Sequence, residues 1–195
     1  ADVRLAAALA LPGPSADVAT VNALEAAMRK ETDANARAAL LQALGRTGRR
    51  EALTALLAIL DEGSLWLRVH ALEALGEIGD PIVAPRLVPL LAHPSLRRAT
   101  LLSLARLDSS VAAPELAAAA RRGPLDEPLL AALRRALSAS SGETRREVQL
   151  LWPEAKAGLH AILADEEALP AVRTQAAHVA ALLDLTGTAM LLVSK

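Results

Sequence analysis

The sequence predicts an all-α fold built as a stack of helical pairs, and three observations support this. The 195 residues are 53% hydrophobic but only 1% aromatic, so the core must come from Ala, Leu, Val and Ile. Such a core suits closely packed helices and suits strands poorly, since strands favour β-branched and aromatic side chains. Apolar residues also recur at helical spacing, and the whole pattern repeats along the chain.

The first helix of each unit shows the repeat most clearly. Five segments align on an arginine at the same position, and these arginines are Arg4, Arg37, Arg68, Arg97 and Arg173. The interval between Arg97 and Arg173 leaves room for a divergent unit that begins near Leu125 and carries an insertion. About six units therefore fit the chain, with approximate ranges 1–31, 32–64, 65–94, 95–124, 125–168 (with the insertion at 138–152) and 169–195.

Residues 67–94 form one complete unit with two apolar stripes at helical spacing. The first stripe comprises Leu67, Ala71, Leu72, Ala74 and Leu75, and the second comprises Ile82, Leu87, Leu90 and Leu91. Gly79 suits the end of the first helix, because a left-handed residue commonly closes the last turn. Asp80 and Pro81 suit the N-cap and the first position of the second helix. In the fourth unit, Asp108 is the expected cap.

The fifth unit departs from the pattern at residues 138–152, SASSGETRREVQLLW. Ser140 and Glu143 have the spacing of a capping box, which predicts an extra short helix through about Leu151. Insertions in a solenoid fall on its surface, and long connections often carry function. The alternative is a tolerated insertion that Trp152 packs down.

The segment RVHALEALGEIGDP at residues 68–81 resembles the HEAT-like repeat of the phycobilisome-lyase type in its Arg, Ala, Leu-Gly, Ile-Gly and Asp-Pro positions. The likeness is strong at 65–94, fair at 33–60, 95–122 and 169–183, and weak elsewhere. It implies a right-handed α-solenoid of antiparallel pairs, whose second helices line the concave surface. It leaves function open, because the family includes chromophore lyases, hydroxylases and scaffolds.

The recurring arginines have two interpretations. They could form a ligand-binding ladder, or each could pair with a carboxylate such as Asp80 or with the corner backbone. Their fixed place in every unit favours the structural role, because stability in a repeat protein comes from the unit and its interfaces.

Composition argues against several classes of function. The chain has 21 basic and 22 acidic residues, whereas nucleic-acid binders usually carry a basic excess. Its two tryptophans offer few platforms for base stacking, so we do not expect a nucleic-acid partner. No apolar run approaches the ~20 residues of a membrane span, and no signal peptide is visible. We therefore expect a cytoplasmic protein without membrane insertion.

Neither a metal site nor a catalytic set is complete in the sequence. The four histidines are His70, His93, His160 and His178. His70 and Glu73 have helical i,i+3 spacing, but a di-iron site needs two such pairs on facing helices. Cysteine is absent, and so are the G-x-S-x-G and phosphate-loop motifs. The sequence therefore predicts no catalytic residue, no metal and no cofactor.

These observations predict a non-enzymatic scaffold that binds a partner protein or peptide along the concave surface. Tryptophan and arginine are the usual hot-spot residues of protein interfaces. The candidate contact residues on or near the second helices are Glu25, Arg29, Arg50, Arg86, Glu115, Arg122 and Lys156, with Trp152 as an anchor. Their mixed charges predict a polar contact of moderate affinity.

Two alternatives stay open. One is a bilin or chromophore lyase-like protein. The other is a structural or regulatory arm of a larger signalling protein, whose other domains would lie in the same chain. The apolar ends lack the polar capping face of a finished solenoid, which favours an excerpt from a longer protein. Abundant Ala, Arg and Leu with scarce Lys indicates a bacterial source.

Overall fold

The computed structural model describes residues 16–185, and no strand occurs among them. The all-α prediction is confirmed. Eleven α-helices lie in this part of the chain: α1 (Val18–Lys30), α2 (Ala34–Arg46), α3 (Leu53–Glu62), α4 (Leu65–Ile78), α5 (Ala84–Leu87), α6 (Pro94–Leu104), α7 (Ser109–Arg122), α8 (Glu127–Ser138), α9 (Gly142–Leu151), α10 (Ala155–Ala164) and α11 (Pro170–Leu182). Short 3-10 helices occupy Arg50–Ala52, Pro81–Val83 and Val88–Ala92. The predicted helix at Val3 and its Arg4 lie outside the described residues.

The chain divides into two compact units, Ala1–Ser103 and Leu104–Lys195. The prediction that residues 1–195 form a single repeat domain is not tested by this division and stays a prediction. In the first unit, α2 and α4 are the first helices of consecutive repeats and pack against each other, α1 packs on α2, and α3 packs on α4. In the second unit, α8 packs on α11, α7 on α8 and α10 on α11.

A glycine allows α2 and α4 to approach closely. A Cβ added to Gly45 would lie 2.7 Å from the Cα of Ala74 and 2.9 Å from its Cβ. Small residues at a helix–helix contact permit short interaxial distances. The glycine of the Leu-Gly pair in the second repeat is therefore a packing residue rather than a helix terminator.

Aspartate and serine side chains cap the N-termini of the first helices of several repeats. Asp33 accepts a hydrogen bond from the Ala36 N–H at 2.9 Å, and Asp126 accepts one from the Leu129 N–H at 3.1 Å. Ser64 caps α4 in the same way. Each cap satisfies a donor that the first turn of a helix leaves without an intrahelical partner.

The corner between α4 and the following second helix has the predicted chemistry. Gly79 ends α4 in the left-handed region, with φ of 71°. Asp80 then accepts a hydrogen bond from the Ile82 N–H at 3.0 Å, with Pro81 in the first helical position. Asp108 is the cap of α7, as predicted, and accepts from the Ser110 N–H at 2.8 Å.

The second helix of the third repeat is interrupted, whereas the apolar stripe predicted a regular helix. It consists of α5 flanked by the 3-10 segments Pro81–Val83 and Val88–Ala92. Pro85 and Pro89 lie within it, and proline cannot donate the backbone hydrogen bond of a regular helix. Ile82, predicted to belong to the buried stripe, is 66% exposed.

The insertion in the second unit contains the extra helix α9, which packs against α7. The capping-box assignment was wrong by one residue. Ser141 caps α9 and accepts from the Thr144 N–H at 3.1 Å. Ser140 is buried instead, and its hydroxyl donates to the Ala136 carbonyl at 2.8 Å.

Candidate protein-interaction surface

The second helices of the second and third repeats are joined by a bidentate ion pair. Arg50, at the start of one second helix, donates to Asp80, the N-cap of the next, through Nε and through Nη2 at 3.2 Å. The two residues are 30 positions apart. The hydrogen bond from Arg50, followed by that from the Ile82 N–H, lowers the pKa of Asp80. The same contact raises the pKa of Arg50.

A second ion pair joins the same two second helices at a different position. Arg86 Nη2 lies 2.7 Å from Asp61 Oδ1 and 2.9 Å from Oδ2. Asp61 is in the last turn of α3, and Arg86 is in α5. Two ion pairs therefore connect the second helices of consecutive repeats, one at the start of the α3 segment and one at its end.

An exposed apolar row, which we call the proline ridge, lies on the second helix of the third repeat. It consists of Pro81, Ile82, Pro85 and Pro89, all of them exposed. Ile82, Pro85 and Pro89 follow at intervals of three and four residues, the spacing that makes helical side chains neighbours. Arg86 is four residues from Ile82, and Asp80 is two residues before it. The ridge therefore adjoins both cross-repeat ion pairs.

The candidate arginines of the first unit all have carboxylate partners. Besides the two cross-repeat pairs, Arg29 Nη1 lies 3.6 Å from Glu25 Oε2 one turn earlier on α1. Four predicted contact residues, Glu25, Arg29, Arg50 and Arg86, thus belong to ion pairs. Each of these charges therefore has an opposite charge within 4 Å.

The candidates of the second unit lie on two helices. Glu115 is half-buried on α7, and Lys156 is exposed on α10. Arg122 is exposed at the end of α7, where its Nε donates to the Ala118 carbonyl at 3.0 Å. The positive charge of Arg122 suits this end of the helix, where the macrodipole is negative. The neighbouring Arg121 faces Glu154 at 3.7 Å, which links α7 to the start of α10.

Trp152 does not lie on the surface. It is only 3% exposed at the end of α9, so its assignment as an exposed anchor is corrected. Val148, one turn earlier, is also buried. The burial of both side chains agrees with the expectation that Trp152 packs the insertion down.

The exposed tryptophan of the chain is Trp66, which is 53% exposed on α4. Its ring meets the His70 ring edge-on, with centroids 4.5 Å apart. His70 Nδ1 lies 3.1 Å from Glu73 Oε2 and 3.4 Å from Gln42 Nε2. Sequence reasoning did not assign Trp66 to the surface, although its position outside the Leu67 stripe was a usable signal.

Asp80 binds Arg50, and it forms no ion pair with Arg37 or Arg68, two of the recurring arginines. The Nε atoms of Arg37 and Arg68 are buried and have no hydrogen-bond partner. The suggested pairing with Asp80 is therefore wrong for these two arginines.

The part of the chain that the structure describes spans residues 16–185. Within this range, no group of three or more His, Cys, Asp or Glu residues could hold a metal ion. Over the same residues, no helix has the length and apolar character needed to cross a membrane.

No curated protein matches the chain. A match does exist at the level of a family model, that of HEAT repeats, over residues 21–105. The phycobilisome-lyase type stays a prediction. The segment that carries both cross-repeat ion pairs and the proline ridge therefore contains HEAT repeats.

Proposed function

We propose that this protein is a non-enzymatic scaffold that binds a partner protein or peptide along the second helices of its repeats. HEAT repeats are generally protein-interaction scaffolds. The observation that carries the proposal is the exposed proline ridge beside two ion pairs that connect neighbouring repeats. A surface held in place before binding loses less conformational freedom when a partner docks.

The ridge provides the apolar component of such a contact. Interfaces usually combine an apolar centre with a polar rim. Ile82 and the ridge prolines would form the centre, and the Arg50–Asp80 and Arg86–Asp61 pairs would form the rim. Glu25 and Arg29 would extend the surface on the first unit. Trp152 is excluded from this role because it is buried.

The candidates on the second unit, Glu115, Arg122 and Lys156, would supply a separate set of polar contacts. Lys156 is exposed, and Arg122 is exposed as well while its Nε donates to the Ala118 carbonyl. Alanine variants of these three residues would show whether the partner reaches the second unit.

The test is a quantitative pull-down from the extract of the source organism, with the chain as bait. We expect a partner that is retained by the wild type and weakened at least about tenfold, or about 1.4 kcal/mol, by Arg86→Glu. This change places a second carboxylate opposite Asp61 and breaks the Arg86–Asp61 ion pair of the polar rim. The control is Leu169→Glu, which also introduces a glutamate, at an exposed position of the second unit.

Binding must then be reproduced with the purified partner. Loss of the same partner with Leu169→Glu would indicate a nonspecific effect of charge. Turnover of a small molecule by the purified chain would contradict the proposal. So would a new, stable visible absorbance band after mixing with a bilin.

A further inference from the structure

We propose that four arginines at the corner between α8 and α9 bind an acidic peptide segment. Two of them lie near the C-terminus of α8, and two lie in the first half of α9. The corner belongs to the second unit and includes none of the contact residues considered above. It would be a second binding surface of the proposed scaffold. We call this set the basic corner, and it consists of Arg134, Arg135, Arg145 and Arg146.

The positive charges of the basic corner have no carboxylate partner in the part of the chain that the structure describes. Three of the four residues are exposed and Arg145 is half-buried, and none of the four forms an ion pair. Four arginines and one glutamate, Glu143, give the segment 134–146 a net charge of +3. The candidate arginines Arg50 and Arg86 of the first unit, in contrast, each contact an aspartate. The basic corner is therefore complementary to a negatively charged partner.

A hydrogen bond between the two helices brings the two pairs of arginines together. Arg145 Nε donates to the Leu137 carbonyl at 3.1 Å, so its guanidinium lies at the C-terminal end of α8. Arg134 and Arg135 precede Leu137 by three and two residues, which is about 4.5 and 3 Å along the helix axis. Arg146 follows Arg145 directly in the chain. The four cationic side chains therefore begin from one corner of the unit.

The backbone that carries these arginines is held by its own contacts. The buried Ser140 hydroxyl donates to the Ala136 carbonyl at 2.8 Å. The Ser109 hydroxyl, at the start of α7, donates to the Ala139 carbonyl at 3.1 Å. These two bonds fasten the short link between α8 and α9 to the rest of the unit. A surface with an ordered backbone loses less conformational freedom when a ligand binds.

The directions of the side chains favour a chain of carboxylates over one small anion. Adjacent residues on a helix do not face each other, so the arginines within each pair diverge. One phosphate ion would therefore contact few of the four guanidinium groups. An acidic peptide offers several carboxylates at different positions, and arginine can bind each of them through two parallel hydrogen bonds.

A nucleic acid fits the basic corner less well than an acidic peptide does. Strong phosphate binders commonly contact about 6–10 phosphates, whereas this corner has four arginines. Binding of single strands also relies on aromatic side chains on which bases stack. Trp152, the aromatic residue of the insertion, is buried.

The test is fluorescence anisotropy of a labelled peptide of about six glutamates, titrated with the whole chain. We expect binding at about 0.05 M salt that weakens at least about tenfold at about 0.5 M, because salt screens contacts between charges. A glutamine peptide of the same length should not bind.

Two triple variants locate the binding surface. The variant Arg134→Gln/Arg135→Gln/Arg146→Gln changes three exposed residues of the basic corner and should weaken binding at least about tenfold. The matched control is Lys30→Gln/Arg98→Gln/Arg121→Gln, which removes the same net charge at exposed positions outside the corner. It should change the affinity by less than about twofold. Circular dichroism would verify that both variants fold.

A further variant should strengthen binding, which loss of folding could not do. Glu143 is exposed in the first turn of α9 and is the acidic residue within the segment 134–146. Glu143→Gln removes a negative charge that repels the carboxylates of the peptide. We expect it to tighten binding by about twofold or more.

Absence of glutamate-peptide binding, equal binding of the glutamine peptide, or equal losses in the two triple variants would overturn this assignment. Weaker binding by Glu143→Gln would contradict it as well. Tighter binding of a labelled single-stranded DNA than of the glutamate peptide would assign the corner to a phosphate backbone instead. The pull-down with Arg86→Glu tests the first unit separately, so the proposed function would stand or fall on that result alone.

Discussion

Arg50 and Asp80 are 30 residues apart in sequence, yet they form a bidentate ion pair that joins consecutive repeats. Asp80 has two roles, because it also caps the second helix of its own repeat through the Ile82 N–H. One carboxylate thus serves the interior of a repeat and its interface with the preceding one. Repeat proteins derive their stability from these two kinds of interaction.

Substitution of Asp80 separates its two roles. Asparagine retains the capping ability of aspartate but loses the charge. We expect Asp80→Asn to lower the free energy of unfolding by about 0.2–1 kcal/mol, the usual range for an exposed ion pair. Asp80→Ala should lower it by about 1 kcal/mol more, because the cap is lost as well. Urea unfolding measures both values, and equal effects of the two variants would contradict the capping role.

The same pair predicts a pH dependence. The pKa of Asp80 is lower in the folded protein than its usual value, chiefly because of the hydrogen bond from Arg50. Its contribution to stability is therefore complete above the unfolded pKa of about 4. It is lost as the pH falls through the lower pKa of the folded state. The stability difference between the wild type and Asp80→Asn should shrink in that acidic range; a difference that grew on acidification would contradict this assignment.

The contact between Gly45 and Ala74 leads to a packing prediction. Gly45→Ala would place a methyl group within 2.7 Å of the Ala74 backbone, and such overpacking typically costs about 1–3 kcal/mol. Gly142→Ala is the matched control, because an added Cβ there meets no atom within 4 Å. The control should be neutral or stabilising by up to about 1 kcal/mol. Similar unfolding free energies for the two variants would show that α2 and α4 can separate without penalty.

The sequence predicted the repeats well because their signals are local. Helical periodicity, the Gly79 corner and the caps at Asp80 and Asp108 depend on residues a few positions apart, and all occur in the structure. The extra helix in the fifth repeat also followed from local pattern, although its cap was misplaced by one residue. These features can be predicted without knowing which repeats are in contact.

The candidate surface was harder to predict because it depends on contacts between repeats. The partners of Arg50 and Arg86 lie 30 and 25 residues away, and no local pattern indicates which carboxylate each would reach. The burial of Trp152 and the exposure of Trp66 likewise depend on neighbouring helices. Ile82 was misassigned because Pro85 and Pro89 interrupt the regular helix on which the stripe was based.

The Arg86–Asp61 pair allows a charge-exchange prediction. Arg86→Glu alone would place two carboxylates opposite each other. It should destabilise the fold by about 1 kcal/mol or less, since the side chains of Arg86 and Asp61 are both exposed. The double variant Arg86→Glu/Asp61→Arg restores opposite charges and should recover most of the loss. Chemical unfolding of the four proteins completes a double-mutant cycle. Strictly additive effects would mean that the pair contributes nothing to the interface between repeats.

The two tryptophans differ strongly in their exposure to solvent. Trp152 is 3% exposed and Trp66 is 53% exposed. Trp152→Ala should lower the free energy of unfolding by about 3–5 kcal/mol, because it leaves a cavity beneath the insertion. Trp66→Ala should cost about 1.5 kcal/mol or less, the scale of an aromatic pair, since it mainly removes the edge contact with His70.

Fluorescence of two single-tryptophan proteins provides an independent measurement. The protein that keeps Trp152, made with Trp66→Phe, should emit at shorter wavelength and resist collisional quenching by iodide, because its indole is shielded from water. The protein that keeps Trp66, made with Trp152→Phe, should emit at longer wavelength and be quenched readily. If iodide quenched both indoles equally, the insertion would be open in solution, and Trp152 would again be available as a contact for a partner.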